Sequence, residues 1–522
     1  MKRRHSMSRA LPNYLLACLL ATFAGAAAGQ SVLRVHQDAD IRSSDPGVNR
    51  DANTDYVVLH VVEGLVGYNA KGEPRPLLAE KIDLSDDKLT YTFHLRTGVT
   101  FHNGEPLTAQ DVVWSWNRYL DPKTGWRCIA DFDGRVGLKI EEVTAIDPMT
   151  VAIRINRPTP LFLDSIARND CGMTAITHRS SLKEDGTWRA PVGTGPFKFD
   201  EWKRREYIKL TAFSQYANRE GKPDGFVGSK RPLVDEVRFI VISDPSTAKT
   251  ALSSGAIDIM PKMPYSEISE FKDSANIGVS VTPQLAPTTL PIQTNDPLLS
   301  NVKLRQAIAA SLNYAELVEG VTYGLAQPNN SLVPVSSPYY SAAHKKGFTH
   351  DPAAVKRLLR EAGYKGERIV ISTNKRNLPN FEAAVIAQAM MQQAGINADI
   401  EVLEWGAQQD RWQKGNYQVM SFSYSSRMDP ALSYEAVMGD KTTQPRKLWD
   451  EPNALAQLDA LFKASEPSER QPIIDDLHAR MLEQVPVIPI FNTLSTGAYR
   501  KNVVGFESTV FGMPQVWEVS KR

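Results

Sequence analysis

Residues 89–120 read LTYTFHLRTGVTFHNGEPLTAQDVVWSWNRYL, and nearly every position in them carries a structural signal. Tyr91, Phe93 and Leu95 alternate with Thr92, His94 and Arg96, the period of two expected of a strand with one face inward. Asn103-Gly104 is the pair that a tight turn with positive φ favours. Thr108 then reads as a helix N-cap with Asp111 at N3, a capping-box relation that also sets a carboxylate at the positive end of the helix dipole. Leu107 and Val112 take the two positions of a hydrophobic staple. A strand, a turn and a capped helix follow from these residues alone.

Outward from this unit, strand and helix signals keep alternating. Ser31 to Val35 begins a strand through Val32, Leu33 and Val35, and Tyr56 to Leu65 presents Val58, Val61, Val62 and Leu65 as the inner face of a helix. Val143 to Ile146 and Thr150 to Ile155 are strands joined by Asp147-Pro148-Met149, with proline at a turn position. Phe197, Phe199 and Tyr207 to Leu210 are strand-like, and Val237 to Ile242 is an apolar strand. Asp244-Pro245 opens a helix that Gly255 closes, and Ile257 to Ile259 returns as strand. Asp351-Pro352 repeats the start signal, and Val355, Leu358, Leu359 and Ala362 trace one helical face up to Gly363. A strand at Ile369 to Ser372, a helix at Phe381 to Gln393 and a strand at Ala398 to Leu403 extend a pattern that predicts α/β lobes with mixed sheets.

A chain of 522 residues exceeds one compact core and predicts two or three domains. A hydrophobic share of 42% with 23% charged residues is ordinary for a globular protein, and a formal charge of +1 offers no broad field for nucleic acid or anionic membrane. Lys2, Arg3, Arg4 and Arg9 precede the apolar stretch Leu15 to Ala28, too short to span a bilayer and suited to a cleavable signal peptide over residues 1–29. Cleavage after Ala28 or Gly29 removes four basic residues and no acid, taking the formal charge of +1 down by four to −3. Leu15-Leu16-Ala17-Cys18 loosely matches a lipoprotein box, but the apolar run continues past Cys18. Plain cleavage is the expectation and a lipid anchor at Cys18 the alternative. Cys128 and Cys171 remain in the exported chain, either as a disulfide or as two buried thiols that never meet.

Catalytic signatures are missing from the sequence. GxSxG, HExxH, P-loop and EF-hand patterns do not occur, and the nine histidines show no metal-ligand spacing near a carboxylate or cysteine. Gly193-Thr194-Gly195 is half a dinucleotide fingerprint, yet strand rather than helix follows it, so nucleotide binding is rejected. Ser180 with Lys183, and Ser246 with Lys249, match SxxK, while Lys123-Thr124-Gly125 matches KTG, as in penicillin-binding serine hydrolases. Here KTG precedes both serines and no Ser-Asp-Asn occurs, which leaves an exported hydrolase as a remote alternative. Among the aromatic residues Trp114 reads as core. Trp126, Trp405 and Trp412 have glycines nearby, where a ring could line a cleft.

In its wording the 89–120 segment resembles the extracellular solute-binding proteins, family 5, of the peptide and nickel class of ABC importers. Five more stretches are similar to that family and occur in its order: GTGPFKFDEW at 193–202, SDPSTAKTALSSGAIDIM at 243–260, NDPLLSNVKLRQAIAASLNY at 295–314, DPAAVKRLLREAGY at 351–364 and PVIPIFN at 486–492. The resemblance implies an α/β, bilobal periplasmic-binding-protein fold with mixed sheets and a hinged cleft. Mapped here, lobe I is discontinuous over 30–70, 195–285 and 490–522, an extra subdomain spans 71–194, and lobe II spans 286–489. The Pro-rich stretch Pro283 to Pro297 and the pair Pro486 and Pro489 mark the crossings between lobes. It further implies a monomer in a Gram-negative periplasm that traps a peptide or similar solute and delivers it to permease and ATPase subunits. Such a protein uses no cofactor or metal, binds no nucleic acid and catalyses nothing.

Peptide-binding members share a second-lobe segment ending in Asp-Pro, here SFSYSSRMDP at 421–430, with an aspartate three residues earlier that pairs with the peptide's amino terminus. This chain has Ser426 there, and a neutral hydroxyl gives an ammonium group no charge-assisted bond. Arg427 beside it suits a carboxylate, unless it turns to solvent or to Asp429. Tyr424, Ser426, Arg427, Trp405 and Trp126 are therefore the candidate ligand-binding residues. Peptide is the family default, and an anionic, amine-free solute is the alternative.

Overall fold

The computed structural model describes Met1 and residues 31–135 and 137–522, so the expected signal segment beyond Met1, with Cys18, lies outside the described residues. The largest sheet has eight strands, in the order Phe422–Ser423, Ile277–Pro291, Val487–Arg500, Ile259–Met260, Val32–Gln37, Glu236–Val241, Tyr207–Ala212 and Phe197–Lys203. Val32–Gln37 is parallel to both of its neighbours, and the remaining pairs are antiparallel. A separate antiparallel sheet orders Ala79–Leu84, Thr90–Leu95, Thr150–Ile155 and Ile140–Asp147. A third, parallel sheet places Ile369–Thr373 between Ala398–Val402 and Val419–Met420.

The opening segment folds as its residues dictate. Tyr91, Phe93 and Leu95 are buried, and the Thr108 backbone N–H donates to Asp111 Oδ2 at 3.0 Å to start helix Ala109–Leu120. The inner face of that helix is Val112, Ser115, Trp116 and Tyr119, so the core tryptophan is Trp116 and Trp114 is only half-buried. Spacing of three and four from Val112 selects Trp116 and leaves its neighbour two positions earlier on the flank. One continuous apolar core joins the large sheet to the four-stranded sheet, with Leu33 and Phe239 in the same cluster as Phe93 and Trp116. Two others, around Ile371 and Ala387 and around Tyr434 and Leu461, fill the region of the parallel sheet.

One expected helix is corrected. The helix expected over Tyr56 to Leu65 is Ala52–Val58, because the Asp51 carboxylate accepts from Thr54 N–H at 3.0 Å and starts it a turn early. Val61, Val62 and Leu65 stay buried, but there the chain is no longer helical: the Val61 carbonyl accepts from Gly195 N–H at 3.0 Å. A Cβ on Gly193 would lie 2.2 Å from that same oxygen, so the Gly-Thr-Gly motif serves a close backbone approach. The Pro-rich stretch is largely strand. Residues Ile277–Pro291 are one long strand, antiparallel to Val487–Arg500, with register shifts between Pro283 and Pro287 and between Thr288 and Thr289. Prolines 283 and 287 lack the N–H a ladder needs, and they flank the first of these shifts.

Candidate ligand-binding cleft

A cleft of about 670 Å³ opens between two walls. His36, Asp38, Tyr56, Asp170 and Lys262 belong to the first wall, and Tyr323, Arg376, Glu382, Trp405 and Arg427 to the second. The second wall is built by the chain just past the carboxyl ends of the parallel strands Ile369–Thr373, Ala398–Val402 and Val419–Met420, where open α/β sheets gather ligands. Between the walls run the two long strands, which contribute Gln284, Ala286 and Thr493 to Thr496.

Of the five residues proposed from sequence, Tyr424, Ser426, Arg427 and Trp405 line this cleft. Trp126 does not. It is buried between Tyr119 and Phe132, at ring-centroid distances of 4.8 and 5.5 Å, with Nε1 donating to the Cys171 carbonyl at 3.0 Å. The glycine near it in space, Gly47, leaves room for the ring itself, since a Cβ there would meet the indole at 2.6 Å. Trp412 likewise packs, stacked on Phe422 at 5.3 Å. Cys128 and Cys171 form a disulfide, with S–S at 2.06 Å and Cα atoms 5.7 Å apart. Cys128, Asp131 and Cys171 form the one cluster of potential metal ligands among the described residues, and its sulfurs are taken up by that bond. The penicillin-binding elements do not assemble: Lys123 and Thr124 sit in the 3₁₀ turn Pro122–Thr124, and Lys249 is held by Glu267 at 3.5 Å and Glu270 at 3.2 Å.

Most cleft acids already have cations. Asp38 faces Lys262 at 3.3 Å, Asp55 is gripped by Arg50, and Asp170 bonds Arg168 at 2.9 Å with Arg127 at 3.4 Å. Burial pushes Asp170 up, but Arg168, Arg427 and Arg127 outweigh it and hold the carboxyl well below the usual range. Burial also lowers Arg50 to about 10. Arg427 differs from these. Among the described residues no carboxylate lies within 4.0 Å of it, and its hydrogen bond is from Nη1 to the Ser426 carbonyl at 3.4 Å. Its pKa is lowered by burial and then by Arg168, with Asp170 acting the other way. Asp429, the alternative partner, belongs to Arg470, whose Nη2 lies 2.5 Å away, and it caps helix Pro430–Val437 through Ala431 N–H at 2.8 Å. Arg427 is thus a guanidinium in a cleft wall with no carboxylate in contact, Asp170 and Glu435 acting on it only from farther off.

Sequence reading missed Arg168, Asp170, Lys262, Arg376 and Glu382. Only the position of Arg376 and Glu382 after a predicted strand, at the start of a predicted helix, could have pointed to them.

Two walls around a cleft, joined by paired crossing strands, define a bilobal solute-binding protein. The model for bacterial extracellular solute-binding proteins, family 5 (middle part), matches residues 73–444, and the chain belongs to that family. It is 27% identical over 535 residues to Di/tripeptide-binding protein 4 of Pseudomonas aeruginosa, covering 96% of each chain. It is 23% identical over 486 residues to the probable deoxycholate-binding periplasmic protein YgiS of Escherichia coli, covering 89% of this chain and 88% of that one. Among solved structures, the ABC transporter-associated periplasmic binding protein DppA of Helicobacter pylori, in complex with the peptide STSA, aligns with a TM-score of 0.78 at 25% identity, over 94% of this chain and 98% of its own.

Proposed function

We propose that this chain is the periplasmic receptor of an ABC importer, closing around a carboxylate-bearing solute and delivering it to permease and ATPase subunits. Peptides and deoxycholate, named for its relatives, both carry a carboxylate. The observation that carries the reading is Arg427, with no carboxylate in contact in the wall and flanked by neutral Ser426. The receptor acts as a monomer without chemistry of its own, after its signal peptide is removed. Lobe I takes 30–70, 195–285 and 490–522, with 71–194 as its extra subdomain and 286–489 as lobe II. The hinge lies at the register shift between Pro283 and Pro287, opposite Asn492 and Leu494.

Mass spectrometry of small molecules that copurify with gently isolated protein identifies the solute. In calorimetry with that solute, Arg427→Ala weakens affinity by about tenfold or more, as truncating a buried charge-assisted contact does, while the thermal midpoint of the empty protein stays put. Wild-type affinity in Arg427→Ala would remove the carboxylate contact and return the reading to a peptide held by its amino terminus, the family default.

A further inference from the structure

Eleven large apolar side chains are exposed among the described residues, and three of them meet in the cleft: Tyr323 at 52%, Leu378 at 46% and Trp405 at 38%. All three stand on the wall that carries Arg427, and they come from three separate elements. Tyr323 ends helix Tyr314–Thr322, Leu378 begins helix Leu378–Gln393, and Trp405 begins helix Trp405–Lys414. Tyr323 has a φ of 53°, a left-handed backbone that a bulky side chain adopts at a cost, so its ring is held at the cleft against local preference. Tyr56, Met260, Met263 and Met428 line the same cleft, and the methionine thioethers fit irregular apolar shapes. Exposed apolar groups concentrated in one cleft call for an apolar occupant.

The charges narrow the class of that occupant. Ser426 offers an ammonium group no charge, and Asp38, Asp55 and Asp170 are spent on internal cations. Glu382, the remaining cleft acid, accepts from the Tyr323 hydroxyl at 3.5 Å and is the one acid of the lining with no cation within 4.0 Å among the described residues, so dialanine is the probe that tests it. Arg376 lies 5.6 Å from the centroid of the Trp405 ring, adding positive rather than negative charge beside the apolar group.

We propose that the solute is an amphipathic carboxylate, its charged head on Arg427 and a bulky apolar body, ring or branched chain, across Tyr323, Leu378 and Trp405. This rests on the reading that Arg427 takes a carboxylate. It differs from a peptide reading in asking for no amino terminus.

The test uses the full mature chain, calorimetry, and tryptophan fluorescence as a readout of Trp405. The probes are 2-naphthoate and octanoate, compared with acetate, dialanine and 2-naphthalenemethanol. The two apolar acids are expected to bind at least about tenfold tighter than acetate or dialanine, and Leu378→Ser and Trp405→Ala are each expected to weaken 2-naphthoate by about tenfold. Both side chains are exposed, so unchanged thermal midpoints would separate lost binding from lost folding. Dialanine binding as tightly as 2-naphthoate, or no binding of either apolar acid at millimolar concentration, overturns the proposal. If Arg427→Ala weakens 2-naphthoate but Leu378→Ser and Trp405→Ala do not, the apolar body is wrong and the carboxylate reading survives. If Arg427→Ala binds 2-naphthoate as wild type does, or the alcohol binds as well as the acid, the carboxylate reading itself fails.

Discussion

Ser426 and Arg427 are neighbours in one cleft wall, where the proposed carboxylate would meet them together. Ser426→Asp places a carboxylate beside Arg427 and neutralises it from within the protein. The variant is expected to lose about tenfold or more in affinity for an anionic solute and to gain affinity for dialanine, measured by calorimetry on the same preparation. Elsewhere a single residue governs stability rather than binding. Glu63 and Lys230 are both buried, with Nζ 2.5 Å from Oε1, and Thr194 and Tyr216 hydroxyls each donate to the same carboxylate at 2.9 Å. Glu63→Ala would strand the ammonium in the core, at a cost of about 3–5 kcal/mol. The exposed pair of Lys463 and Asp459 supplies the contrast: Lys463→Ala should move stability by less than about 1 kcal/mol. Urea unfolding of the two variants would show whether burial decides the difference.

At the scale of elements, helix Phe162–Ala167 from the first side meets the start of helix Pro430–Val437 from the second. Leu161 packs in the same core as Tyr434 and Leu461, and Asp164 is buried facing Asp429 and Arg470. Burial first, then Asp429, raises Asp164 well above the usual carboxylate range, while Arg470 pulls it back. Burial also raises Asp429. Arg470 bonds Asp429 and lies 5.3 Å from the centroid of the Tyr339 ring, and it acts on Asp164 only through its charge. With the walls in contact burial therefore favours the protonated form of Asp164, and exposure to water once they part would remove that preference. The contacting form binds more protons, so falling pH favours it and rising pH opposes it, over the window between the ordinary carboxylate pKa and the raised one. Affinity for 2-naphthoate is expected to rise as pH falls from about 7 toward about 5, where that probe stays ionised. Asp164→Asn should flatten the dependence; a slope that survives the substitution would place its origin elsewhere.

For the whole molecule, the long strands Ile277–Pro291 and Val487–Arg500 link the two walls, and their register shifts are where the ladder can bend with least loss. A solute gains contacts with both walls only when they close on it. Small-angle scattering should show a smaller radius of gyration when the copurified solute is added back to stripped protein. An unchanged profile at saturation would show that binding proceeds without a hinge.

Much of this molecule is legible in its sequence because the forces involved are local. The Thr108–Asp111 box, the Asp244-Pro245 start with its Gly255 stop, and the turn at Asp147 to Met149 each depend on residues a few positions apart, and each forms where the chain says it should. Tyr424, Ser426 and Arg427 came from family resemblance and Trp405 from a neighbouring glycine, since nothing in their spacing speaks of a cleft. What tertiary structure alone decided are matters of long-range approach. Trp126 is core because Gly47 and the Cys171 carbonyl close around its ring. The Pro-rich stretch is strand because Val487–Arg500 pairs with it whatever its local propensity. Arg427 is left with no carboxylate in contact because Asp429 lies closer to Arg470, and no local pattern reveals which of two cations a carboxylate will reach once the chain has folded.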